Sequence, residues 1–180
     1  MTHKLTKLSN KDSKILSDIY NALEKILLPT TYQKTGGQGH QVRTGATKQK
    51  GARQALFGIR NFRKGKQYSK YYRTYPHIIK LFNEFISSHY PDFKFDSVYV
   101  NKNVVCKKHL DSNNVGKSIL VGLGPYTKGR LILYINGKEK KFHIKSQSIM
   151  FNGSEIEHRS ETFNGTRYSL VFFRAEKISI

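Results

Sequence analysis

The chain has 180 residues, with 32 Lys or Arg against 12 Asp or Glu, a formal net charge of +20. That length suits one domain with its own hydrophobic core, and that charge favours a polyanionic partner such as nucleic acid. Apolar residues at 37% and aromatics at 12% exclude a disordered polycation, no apolar run approaches the ~18 residues of a membrane span, and a single cysteine, Cys106, excludes a disulfide framework or a cysteine-rich zinc module.

Residues 1–10 are polar and lack the apolar stretch of a secretory leader. Residues 10–28 predict an amphipathic helix. Ile15, Leu16, Ile19, Leu23, Ile26 and Leu27 recur at three and four, Asn10 is the expected N-cap, and Pro29 is the expected stop. Residues 30–50 are rich in Gly, Gln, Thr and Lys, which predicts a loop. From Lys25 to Asn83 there is no Asp or Glu, yet 13 Lys or Arg stand there. Such a stretch reads as a phosphate-facing surface or as an ordinary solvated loop. Its second part, residues 51–75, interleaves basic residues with Phe57, Phe62, Tyr68, Tyr71, Tyr72 and Tyr75. Pro76 opens a second helix to about His89, with an apolar face of Ile78, Ile79, Phe82, Phe85 and Ile86.

After Pro91 the period changes. Residues 95–100, 118–122, 131–135, 141–144, 148–151 and 168–173 read as short strands, and Asn136-Gly137 is a two-residue hairpin signal. Helices followed by six or more strands predict an α+β fold, a β-sandwich or barrel core supported by helices, in one domain over residues 1–180.

The strand-rich half carries a set of residues with a shared chemistry. His109 and Asp111 are two apart on an extended segment and so face the same side. His158 follows just past a strand and a turn. Two His and one carboxylate form the facial triad of non-haem Fe(II) oxygenases, which leaves coordination positions open for a co-substrate and O2. Arg167 and Ser169 share a face of the last strand. A guanidinium forks onto a carboxylate and a hydroxyl adds one hydrogen bond, so together they suit the distal carboxylate of a dicarboxylic co-substrate. Tyr168, Leu170 and Phe172 then point into packing. His3, His40, His77, His89 and His143 have no such company and read as structural or surface residues.

The stretches Val100-Asn101-Lys102-Asn103, Cys106-Lys107-Lys108-His109-Leu110-Asp111-Ser112-Asn113-Asn114-Val115-Gly116, Gly122-Leu123-Gly124 and Gly129-Arg130-Leu131 resemble the TET/JBP family of 2-oxoglutarate/Fe(II)-dependent dioxygenases. So do Phe151-Asn152-Gly153-Ser154, His158 and Phe163-Asn164-Gly165-Thr166-Arg167-Tyr168-Ser169, and, more weakly, residues 53–58. The resemblance covers residues 50–174, and its second half is the specific part. It implies a double-stranded β-helix (jelly-roll-like) core with supporting N-terminal helices. It implies Fe(II) at His109, Asp111 and His158, and 2-oxoglutarate at Arg167 with Ser169. The implied activity is oxidation of the 5-methyl group of a pyrimidine in DNA, 5-methylcytosine or thymine, with the nucleotide flipped out of the duplex.

In the family the position of Asn114 contacts the flipped base, and an amide there can read a base edge. The position where methylcytosine-oxidising relatives often place a base-contacting His is Ala175 here, which leaves the base identity open. On this reading residues 30–75 are a DNA-facing segment and residues 95–174 the catalytic core. Arg53, Arg60, Arg63, Lys64, Lys66, Lys70 and Arg73 are expected phosphate contacts, and Tyr71 or Tyr72 a stacking partner for bases. The expected partner is DNA, as duplex with a flipped base or as single strand, for a monomeric protein in an intracellular, DNA-containing compartment, with nuclear, viral and bacterial settings all open. The alternatives are an AlkB-like nucleic-acid dealkylase, a protein-hydroxylating dioxygenase, and a non-catalytic nucleic-acid-binding protein on an oxygenase fold. The seven-residue spacing of Arg167 and Arg174 weakens the first, the charge the second, and the intact His, Asp and Arg set the third.

Overall fold

In the computed structural model, which describes residues 2–29, 51–62 and 65–175, the first helix begins where two side chains cap each other. The Ser9 hydroxyl accepts the Asp12 N–H at 3.0 Å, and the Asp12 carboxylate accepts the Ser9 N–H at 2.9 Å. This reciprocal box makes Ser9, not Asn10, the N-cap of α1 (Asn10–Glu24). The helix ends four residues before Leu28. The residue before a proline is biased away from helical dihedrals, and extended chain lets Leu28 bury its side chain in the core. Leu28 and Pro29 then offer their carbonyls to Arg53 and Gln54.

The helix follows strand β1 (His3–Lys7). Residues 51–75, expected as basic interleaved chain, form β2 (Arg53–Phe57), a hairpin of β3 (Ile59–Phe62) and β4 (Gly65–Tyr68), and α2 (Lys70–Thr74). Helix α3 (Pro76–His89) starts at its proline as expected. The strands that follow are β5 (Ser97–Lys102), β6 (Ser118–Leu123), β7 (Tyr126–Lys128), β8 (Leu131–Ile135), β9 (Lys138–Phe142), β10 (Gln147–Phe151), β11 (His158–Ser160), β12 (Phe163–Gly165) and β13 (Tyr168–Phe173). Asn136 and Gly137, both at positive φ, close the β8–β9 hairpin. Residues 30–50, read as a loop, lie outside the described residues.

The large sheet has the order β1-β10-β6-β13-β5-β2, and a smaller one the order β11-β8-β9. Every pairing is antiparallel. This is the double-stranded β-helix expected of the β-rich half, with α1 and α3 backing one face. Strand alternation assigns the two faces of the large sheet. Val98, Val100, Ile119, Val121, Tyr168, Leu170 and Phe172 turn to the helices and meet Ile19, Leu23, Ile78, Phe82 and Phe85. Tyr99, Asn101, Leu120, Ser169 and Val171 turn the other way, into a cavity between the sheets. Leu120, Leu131, Leu133, Ile149 and Phe151 form a second apolar cluster beside that cavity. No helix among the described residues is long and apolar enough to cross a membrane.

Candidate active site

His109 and His158 are cross-strand partners. Each backbone N–H donates to the other residue's carbonyl at 3.0 Å. Asp111, two residues on, faces the same side, and its N–H is fixed on the Gly153 carbonyl at 2.7 Å. His109 Nε2 stands 3.3 Å from Asp111 Oδ1, and His158 Nε2 3.5 Å from Asp111 Oδ2. All three candidate ligand atoms lie within 4.8 Å of one another. Asp111 and His158 are buried and His109 is half-buried.

The imidazoles are oriented from behind. His109 Nδ1 lies 2.6 Å from the Lys107 carbonyl and His158 Nδ1 2.8 Å from the Ile156 carbonyl. A carbonyl only accepts, so each Nδ1 carries the proton and donates. Each Nε2 then turns a lone pair toward the carboxylate. Two such lone pairs facing carboxylate oxygens call for a cation between them, and the donor set of two neutral imidazoles and one carboxylate with open positions suits Fe(II). The residues present therefore fit the metal. Gly153 makes the fit possible: a β-carbon there would lie 3.1 Å from Asp111 Oδ2 and 3.4 Å from His158 Cε1. Asn114 adds a further hold. Its Nδ2 donates to Asp111 Oδ2 at 3.4 Å and to Ser118 Oγ at 3.2 Å, while its buried Oδ1 has no hydrogen-bond partner. Asn114 pairs by its backbone with Ala175.

Arg167 lies on the wall of the same cavity, only 3% exposed. Its Nε donates to the Gly129 carbonyl at 3.2 Å, and its guanidinium sits 5.6 Å from the Tyr126 ring centroid and 5.8 Å from that of Phe163. Its backbone is clamped by Asn103, whose Oδ1 accepts the Arg167 N–H at 2.9 Å and whose N–H donates to the Arg167 carbonyl at 2.8 Å. Gly129 has φ +67° and its absent β-carbon leaves room for the Arg167 side chain. Burial pushes the guanidinium below its ordinary pKa, opposed by the neighbouring Tyr126 and Cys106. Among the described residues no carboxylate forms an ion pair with Arg167. A buried cation without a carboxylate is costly unless an anion joins it.

The cavity measures about 70 Å³ and is lined by His109, Asp111, His158, Arg167 and Ser169 together with Gln54, Tyr99, Asn101 and Cys106. The structure thus gathers the five residues read from the sequence as iron and co-substrate groups, and sets Asn114 behind Asp111. The basic residues fare differently. Arg53 donates its Nη1 to the Leu28 carbonyl at 2.6 Å. Arg63, Lys64 and the side chain of Arg60 lie outside the described residues, while Lys66, Lys70 and Arg73 are exposed. Tyr71 packs its ring on Phe57, whereas Tyr72 stacks on the exposed Tyr68 with centroids 4.2 Å apart.

Gln54, Asn101, Asn103, Tyr126, Gly129 and Phe163 were not singled out for any role in the sequence. The one available signal was Asn101, an amide directly after Val98 and Val100 in a strand.

No family model matches the chain, and no curated protein matches it. Solved structures do. An oxidoreductase of the 2OG-Fe(II) oxygenase family from Burkholderia pseudomallei aligns with a TM-score of 0.61 at 14% identity, over 96% of this chain and 83% of that one. A Pseudomonas putida prolyl-4-hydroxylase aligns with a TM-score of 0.56 at 12% identity, over 98% and 94%. NgTET1 in complex with 5mC DNA aligns with a TM-score of 0.59 at 12% identity, over 97% and 72%. These likenesses establish the fold, that of the 2OG-Fe(II) oxygenases.

Proposed function

We propose that the protein is a 2-oxoglutarate- and Fe(II)-dependent dioxygenase that oxidises the 5-methyl group of a pyrimidine in DNA. The observation that carries the reaction class is the pairing, in one cavity, of a His-Asp-His cluster with a buried arginine that has no carboxylate partner among the described residues. Bound at His109, Asp111 and His158, Fe(II) together with 2-oxoglutarate and O2 supplies an oxidation that hydroxylates a C–H bond and releases succinate and CO2.

The chain's own residues do the rest. Arg167, fixed by Gly129 and flanked by two rings, receives the distal carboxylate, and Ser169 donates to it. Lys107 and Ile156 hold the imidazole tautomers through their carbonyls. Asn114 donates its amide N–H to Asp111 and to Ser118 and braces the carboxylate from behind.

DNA as the substrate rests on charge: +20 in total, with an acid-free stretch from Lys25 to Asn83. Lys25, Lys66, Lys70, Arg73 and Lys80 are its exposed members among the described side chains, and Lys66, Lys70 and Arg73 flank in sequence the Tyr68–Tyr72 stack, a platform suited to an unpaired base. Arg53, Arg60, Arg63 and Lys64 stay proposed phosphate contacts on the sequence alone. The prolyl hydroxylases among the structural neighbours make a protein side chain the second reading, and the charge places it behind DNA.

The test is anaerobic reconstitution with Fe(II) and 2-oxoglutarate, then exposure to air with DNA carrying 5-methylcytosine and mass analysis of the nucleosides. Oxidised methylcytosine together with succinate is the expected result. Succinate with no altered base would remove DNA from the reading, and neither product would remove the enzyme.

A further inference from the structure

Ser169 is the end of a polar row in the cavity whose other two members have no part in the reading above. Gln54, Asn101 and Ser169 stand opposite one another on β2, β5 and β13, in direct register. Their side chains leave the same face of the sheet, and all three line the cavity. Asn101 and Ser169 are buried, 7% and 6% exposed. Gln54 Nε2 donates to Asn101 Oδ1 at 2.6 Å, and Asn101 Nδ2 donates to Ser169 Oγ at 3.3 Å. The flanking row of the same face, Leu56, Tyr99, Val171 and Leu120, is largely apolar. Three hydrogen-bonding side chains in line, two of them buried, are not what packing alone selects.

We infer that Gln54 and Asn101 are positioning residues for the co-substrate: they form a one-way hydrogen-bond relay that turns the Ser169 hydroxyl proton toward the carboxylate at Arg167. The inference rests on the 2-oxoglutarate reading proposed above. Its logic is directional. A hydroxyl has one proton and two lone pairs. When Asn101 donates to Ser169 Oγ, the hydroxyl's lone pair is engaged and its proton is free to point elsewhere. Run in reverse, Ser169 would donate into Asn101 and Asn101 into Gln54, and the co-substrate side of Ser169 would show only lone pairs. An anion beside Arg167 is repelled by lone pairs and attracted by the proton, so it selects the first direction. Gln54 starts the relay because it turns its amide nitrogen, and not its oxygen, to Asn101, which presents its own oxygen in return. Chained donors of this kind also strengthen one another. Strand β2, at the edge of the sheet, thus reaches the co-substrate two strands away without touching it.

The experiment is a double-mutant cycle read by binding rather than turnover. The affinity of 2-oxoglutarate for the Mn(II)-loaded full-length protein is measured by calorimetry for wild type, Q54L, S169A and Q54L/S169A, with melting curves to verify that each is folded. Loss of a hydrogen bond to a charged group predicts a fall of roughly tenfold for S169A. Q54L is expected to weaken binding roughly threefold in the wild-type background and not at all in the S169A background, with Mn(II) affinity unchanged throughout. Q54E is expected to weaken it further than Q54L, because a carboxylate forces Asn101 to present its N–H to residue 54 and reverses the row. Equal effects of Q54L in both backgrounds, or no effect in either, overturn the relay while leaving the co-substrate assignment intact, provided wild type binds 2-oxoglutarate. If wild type does not bind it, the relay falls together with the reading on which it rests.

Discussion

Gly153 and Gly129 each leave space that a functional side chain occupies. At Gly153 a methyl group would crowd Asp111 Oδ2, at 3.1 Å, and the His158 ring. G153A is therefore expected to lower Mn(II) affinity about tenfold or more by calorimetry, the range typical of groups that orient metal ligands, while the melting temperature changes little. At Gly129 the backbone has φ +67°, a region that L residues enter at a cost of about 1–3 kcal/mol. A β-carbon there would also lie 2.9 Å from Arg167 Nε. G129A is expected to separate the two functions the other way, with 2-oxoglutarate binding weakened, Mn(II) binding held, and stability reduced by that order. An equal loss of both ligands in either variant would contradict the division of the cavity into a metal end and an anion end.

Between elements, one buried cluster ties both helices to the sheet. Asp12 on α1 accepts from Ser88 Oγ at 2.7 Å and from His89 Nδ1 at 3.0 Å, both on α3, and His89 Nε2 meets Ser148 Oγ of β10 at 2.7 Å. Burial alone would raise the Asp12 pKa, but the Ser9 N–H, the Ser88 and Ser9 groups and His89 outweigh it, and the carboxyl is held below its ordinary value. A lowered folded pKa means stability that is complete above the unfolded pKa and lost as pH falls through the folded one. D12N is thus expected to cost about 1–3 kcal/mol at neutral pH, and the difference in melting temperature from wild type should close as the pH is lowered through the carboxylate range. A gap that stays constant on acidification would show that Asp12 acts by shape and not by charge.

His89, read from the sequence as a structural or surface residue, is the centre of this cluster. Helix α3 and the longer apolar strands were legible because their patterns repeat with the period of the element. Strands β1, β7, β11 and β12 were not, being three to five residues long and held by partners remote in the chain. The site shows the same split. His109, Asp111, His158, Arg167 and Ser169 were legible because their residue types carry the chemistry. Gln54 and Asn101 matter through cross-strand register, which no single stretch of sequence displays.

For the molecule as a whole, the charge has a place relative to the cavity. Strand β2 carries Gln54 into the cavity wall, and the chain continues through the β3–β4 hairpin to α2, where Lys66, Lys70 and Arg73 are exposed beside Tyr68 and Tyr72. Binding of DNA through this surface should weaken steeply with salt, each phosphate contact adding roughly 0.9 to the slope of log affinity against log salt. The triple variant K66A/K70A/R73A is expected to flatten that slope by roughly 2 to 3 in fluorescence-anisotropy titrations. An unchanged slope would move the DNA surface elsewhere on the molecule.

The backbone bridge between His109 and His158 joins two points roughly fifty residues apart in the chain. The chain between them, β6 through β10, is held by the pairing of β6 with β13, of β7 with β12 and of β10 with β1, and the two hydrogen bonds add a clasp across its ends. An ion gripped by both imidazoles and by Asp111 would lock that clasp, and stabilise the folded chain by mass action. The metal then has a second consequence unrelated to chemistry on a substrate. It adds to the ladders that already hold this segment, so a protease should cut the chain between the two histidines more slowly in Mn(II) than in chelator.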